Sequence, residues 1–107
     1  MKAVLIEANG NVRRADLPDY QSLNQAVGGY IELINFGDTG HFAYLNEDGI
    51  ALGLPYNEKA TKLCYKHNVG LIPGDFIKGT MVVVGPVDDE GNETDVSEEL
   101  AAYLESV

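Results

Sequence analysis

The chain has 107 residues and a mass of 11.6 kDa, and it carries 17 acidic against 7 basic side chains, a formal charge of −10. That length suits one domain over residues 1–107, and a hydrophobic fraction of 45% is too high for a wholly disordered acidic chain. The negative balance argues against direct nucleic-acid binding and against docking on anionic lipid, because both surfaces would be repelled.

The chain opens with Met1-Lys2-Ala3-Val4-Leu5-Ile6-Glu7, four apolar residues between charges. A secretory apolar region needs roughly 7–15 residues and a membrane span about 20, so the expectation is a cytoplasmic protein with no membrane partner. Ala3–Glu7 and Val12–Leu17, separated by the turn signal Asn9-Gly10, predict a first hairpin. Asp19 is placed to cap a helix carrying Tyr20, Leu23 and Val27 at i, i+3 and i+7, closed by Gly28-Gly29.

Tyr30–Phe36 and His41–Asn46, divided by Gly37-Asp38-Thr39-Gly40, predict a second hairpin. Ile50–Leu54 reads as a short strand or an extended loop ending at Pro55. Asn57 caps a predicted helix over Glu58–His67, with Ala60, Leu63, Cys64 and His67 on one face and Lys59, Lys62 and Lys66 on another. Asn68–Gly74 is a turn-rich connection. Phe76–Val84 contains the most strand-like run, Thr80–Val84, whose β-branched residues point to both faces and predict a central position.

A last helix is expected from about Val96, with Asp95 and Glu98 at capping-box spacing. The expected fold is α+β: a single mixed, mainly antiparallel sheet of about five strands with two to three helices packed on it, covering one face. An acidic C-terminal loop and helix occupies about residues 88–107.

No motif with a mechanism emerges. Cys64 is the lone cysteine, so no disulfide or thiolate metal cluster forms within the chain. Asp88, Glu90, Asn92, Thr94 and Glu99 fall at calcium-loop positions, but Glu93 stands where that loop needs glycine. No phosphate-binding glycine motif is present; Gly70, Gly74 and Gly79 read as turn or close-packing glycines. His41 and His67 lack a local nucleophile, and Cys64 sits on the apolar face of its helix. The expectation is a non-enzymatic protein without metal or cofactor. The lysine ridge Lys59, Lys62, Lys66 could touch phosphate, but three lysines against ten excess negative charges read rather as a solvated helix face or one facing the chain's own acidic C-terminal segment.

Several blocks carry a resemblance. They are the opening Met1–Glu7 with its Asn-Gly turn, Ala26–Glu32, Ala43–Gly49, Gly53–Asn57 followed by Ala60-Thr61, and Gly79 to Gly85-Pro86. The sequence resembles domain of unknown function family 3846, found in small proteins of bacteriophages and of actinobacteria and other bacteria. The resemblance implies a phage or mobile-element context and a cytoplasmic site of action. It supplies no catalytic residues.

Two of these blocks suggest a polar-aromatic groove of Tyr30, Glu32, Tyr44, Asn46, Tyr56 and Asn57. The alternative is fold maintenance, since both lie at element boundaries where turn chemistry is demanding. A second candidate is an acidic patch of Asp88, Asp89, Glu90, Glu93, Asp95, Glu98 and Glu99. Residues 1–87 hold nine acidic and seven basic side chains, whereas residues 88–107 hold eight acidic side chains and no basic one. Three functions compete: an accessory module binding a host or phage protein, a DNA mimic occupying a DNA-binding protein through the acidic segment, and a small-molecule-binding domain using the groove.

Overall fold

The structure is a computed structural model that describes residues 1–67 and 75–107. The predicted Asn68–Gly74 connection, with Gly70 and Gly74, lies outside the described residues. Strands β1 (Lys2–Ile6) and β2 (Val12–Asp16) form the first hairpin, and Asp19 caps helix α1 (Tyr20–Val27). The Asp19 carboxylate accepts the Ser22 N–H while the Ser22 hydroxyl reaches back to the Asp19 backbone, closing a capping box. Strands β3 (Ile31–Asn35) and β4 (Phe42–Asn46) form the second hairpin across a 3-10 turn at Gly37–Thr39. Helix α2 (Glu58–Lys66), strand β5 (Met81–Val84) and helix α3 (Glu98–Ser106) complete the order.

The sheet runs β2-β1-β5-β4-β3, and all of its pairings are antiparallel. Its three inner strands explain the continuous apolar runs. Val4, Ile6, Ala43, Leu45, Met81 and Val83 face one side, where α2 and α3 contribute Ala60, Leu63, Cys64, Leu100 and Leu104. Ala3, Leu5, Tyr44, Val82 and Val84 face the other, where α1 contributes Leu23 and Val27. A strand buried on both faces loses the polar alternation of a half-exposed one, and β5 sits centrally as its sequence predicts.

The expected cover on one face is therefore corrected: helices lie on both. The short strand option at Ile50–Leu54 resolves into turns, and Phe76–Thr80 lies outside the sheet, with Lys78 paired to Tyr56 in an isolated bridge.

The start of the last helix also differs. Ser97, not Asp95, is the N-cap of α3, its hydroxyl accepting the Leu100 N–H at 3.2 Å. Asp95 instead accepts the Lys2 N–H at 2.7 Å, and Val96 donates its N–H to the Lys2 carbonyl at 2.9 Å. Both bonds pin the C-terminal segment to the start of β1. Gly85 permits that approach, because a Cβ there would lie 2.1 Å from the Asp95 carbonyl oxygen.

Candidate functional site

The six proposed groove residues do not share one concavity. Tyr44 is buried against α1. Asn46, also buried, donates to the Val27 carbonyl at 3.0 Å and accepts the Asp48 N–H at 2.8 Å, joining the end of α1 to β4. Asn57 is fully buried; its Oδ1 caps α2 through Ala60 N–H, and its Nδ2 donates to the Ile6 and Gly79 carbonyls at 2.8 Å each. These three side chains maintain the fold. Tyr30, Glu32 and Tyr56 are exposed.

Around Tyr56 the structure brings together a different set. Asn57 donates its backbone N–H to the Ile77 carbonyl at 2.8 Å. The Thr61 hydroxyl donates to the Asn57 carbonyl and accepts the Ile77 N–H, both at 2.8 Å. Gly79 N–H reaches the Pro55 carbonyl at 2.8 Å. This buried lattice fixes residues 75–79 against the entry to α2. On its outer side the Tyr56 and Phe76 rings meet edge to face, 5.8 Å apart at 82°, and Lys78 Nζ lies 5.4 Å from the centre of the Phe76 ring.

Phe76 and Lys78 form a ridge between two open concavities. One, of about 380 Å³, includes Glu32, Glu47, Asp48 and Ile50. The other, of about 520 Å³, includes Tyr56, Tyr65 and Asp75. Ile50 is 71% exposed, Leu52 on the same turn 60%, Tyr56 50% and Phe76 42%. Among the described residues lining the two concavities, the carboxylates Glu32, Glu47, Asp48 and Asp75 outnumber Lys78. The sequence signal for it is Ile50-Ala51-Leu52, an apolar triplet between Gly49 and Gly53 where a turn favours polar residues.

The acidic patch is divided by its contacts. Asp88 folds its own turn, its carboxylate accepting the Glu90 N–H at 2.9 Å and the Asn92 N–H at 2.8 Å. Asp95 holds the Lys2 amide, and Glu98 lies 2.6 Å from Arg14 of β2. Arg14 also binds Glu105 at 2.6 Å. Hydrogen bonding to Arg14 holds the Glu98 carboxyl below its ordinary range, and the two carboxylates raise the guanidinium. Partial burial raises the Glu93 carboxyl. Asp89, Glu90 and Glu99 are exposed.

The histidines and the cysteine hold packing positions. Buried His41 bonds the Thr39 carbonyl through Nδ1 at 3.0 Å and accepts the Ser97 N–H at Nε2 at 3.3 Å. That pairing sets the proton on Nδ1 and ties the start of β4 to the α3 cap. His67 contacts the Phe36 ring, and its Nε2 lies 3.2 Å from the Tyr103 hydroxyl. Cys64 is fully buried beside Met81, with Sγ and Sδ 3.8 Å apart, and burial pushes its thiol up to about 12. A nucleophilic thiolate requires the opposite environment.

No helix among the described residues is long and apolar enough to cross a membrane. A family model described as a domain of unknown function, DUF3846, matches residues 1–107. No curated protein and no solved structure matches the chain.

Proposed function

We propose that this chain, which belongs to the domain of unknown function family DUF3846, is a non-enzymatic accessory module that docks a basic, partly apolar segment of a host or phage protein on the Tyr56–Phe76 ridge. One observation carries the reading: exposed Ile50 and Phe76 line one concavity and Phe76 meets exposed Tyr56 edge to face, on a domain whose sheet already has an apolar core on both faces. Single exposed apolar residues are ordinary, whereas joined ones with a polar rim mark interaction surfaces. Aromatic side chains held rigid by a hydrogen-bonded base suit an interface centre, because little side-chain entropy is lost when they are covered.

The rim selects the partner's chemistry. Glu32, Glu47, Asp48 and Asp75 surround the ridge, so lysine or arginine beside an apolar anchor is complementary. The net charge of −10 adds long-range attraction for such a partner. The setting is the bacterial cytoplasm, with the gene carried by a phage or mobile element.

The test is affinity capture from bacterial lysate with the full chain, compared with Tyr56→Ala/Phe76→Ala and with Asp89→Asn/Glu90→Gln. The expected result is a prey with a basic docking segment whose recovery falls at least about tenfold with the ridge variant, as loss of interface hot spots produces. The acidic-turn variant retains it. Thermal unfolding confirms that both variants are folded. Absence of a specific prey overturns the reading. So does a DNA-binding prey lost only with the acidic-turn variant, or self-association of the chain through the ridge.

A further inference from the structure

A separate concavity of about 460 Å³, sharing no residue with the ridge, lies between the β1–β2 turn, α2 and the end of α3. Its chemistry is unlike the rest of the surface. Three of the chain's seven basic side chains, Lys59, Lys62 and Lys66, line it from one helix. Lys62 is paired with Glu58 at 2.9 Å. The other two have neutral partners: Lys59 Nζ donates to the Gly10 carbonyl at 3.1 Å, and Lys66 Nζ lies 5.4 Å from the centre of the Tyr103 ring. Among the described residues neither has a carboxylate in ion-pair range. Two ammonium groups without an ion-pair partner among the described residues therefore border one cleft, which Glu58 also lines beside Lys62, in a protein with a formal charge of −10. Leu63 and Tyr103 give the same cleft an apolar wall.

We infer that this cleft binds a phosphate monoester carrying a flat apolar ring. The dianion matches two ammonium charges, and lysine serves phosphate as a mobile point charge. Each ammonium has donors beyond its present contact, so phosphate oxygens are added without breaking the Gly10 bond. The ring lies against Leu63 and Tyr103. The volume falls within the range of small-ligand sites, roughly 300–1,000 Å³. The inference is independent of the docking ridge.

The test titrates the full chain with adenosine monophosphate, inorganic phosphate and adenosine, followed by amide chemical shifts and calorimetry. The monophosphate shifts Asn9, Gly10 and Lys62, and binds at least about tenfold more tightly than either fragment. Lys59→Gln/Lys66→Gln weakens it at least about tenfold, the loss expected for charged hydrogen bonds, while Lys78→Gln leaves it unchanged. Thermal unfolding establishes that the double variant is folded. No cleft shifts at millimolar monophosphate, or equal affinity in the double variant, overturns the site. Inorganic phosphate binding as tightly as the monophosphate overturns the ring-bearing ligand class, and adenosine binding as tightly overturns the phosphate.

Discussion

The Asn57 side-chain amide donates to the Ile6 carbonyl at 2.8 Å, joining the cap of α2 to the end of β1 across 51 residues of sequence. With its second bond to Gly79 and its cap on Ala60, one buried side chain satisfies groups in three separate segments. Asn57→Ala removes a cap and strands buried carbonyls, so a loss of about 3 kcal/mol is expected in denaturant unfolding. Asn57→Asp keeps the cap acceptor but turns carboxylate oxygen toward two carbonyls, and at neutral pH it is also destabilised.

Thr61 links the same lattice to the docking ridge. Thr61→Val keeps the shape but leaves the Ile77 N–H unsatisfied, at about 1–3 kcal/mol. The expected local signature is faster amide exchange at Ile77 than in β5.

Gly37 has φ +59, and a Cβ there would sit 1.5 Å from the His67 carbonyl oxygen. Gly37→Ala therefore combines a strained backbone conformation with a steric overlap on backbone, for a loss of about 2 kcal/mol or more by thermal unfolding. Gly40→Ala separates these effects, since its φ is +77 but nothing among the described residues lies within 4 Å of the added carbon. Its loss is the smaller.

Cys64 supplies an alkaline signature. Its folded pKa, about 12, lies above the ordinary thiol value of 9.0. Ionisation of the unfolded chain comes first, so this group's stabilisation is complete below the unfolded pKa and is lost as pH rises toward the folded one. Cys64→Ala should flatten that part of the stability profile, and a thiol reagent should label the native chain only through unfolding.

Arg14 and Glu98 supply the acid counterpart. A lowered carboxyl contributes stability above its ordinary range and loses it as pH falls through the folded value. Wild type should therefore exceed Arg14→Gln in melting temperature at neutral pH, with the gap closing in acid and narrowing in high salt.

The local elements are legible because their signals are local. Asp19 and Asn57 announce helix starts, Asn9-Gly10 announces a hairpin, and Thr80–Val84 announces a strand buried on two faces. Asp95 and Glu98 have capping-box spacing, yet Lys2, 93 residues away, captures Asp95, and Ser97 takes the cap. Glu98 pairs with Arg14, also distant in sequence. The groove residues separate for a similar reason. Tyr56 and Asn57 are adjacent, but the helix start turns one outward and buries the other. Phe76 and Lys78 join Tyr56 through a bridge between segments that no sequence spacing indicates.

Hydrogen exchange of the full chain, free and bound to its captured partner, tests the docking surface most directly. Protection gained over residues 47–56 and 75–79, together with slowed dissociation at low salt, is the expected result. Protection confined to residues 88–99, with the ridge exchanging as in the free chain, would contradict it.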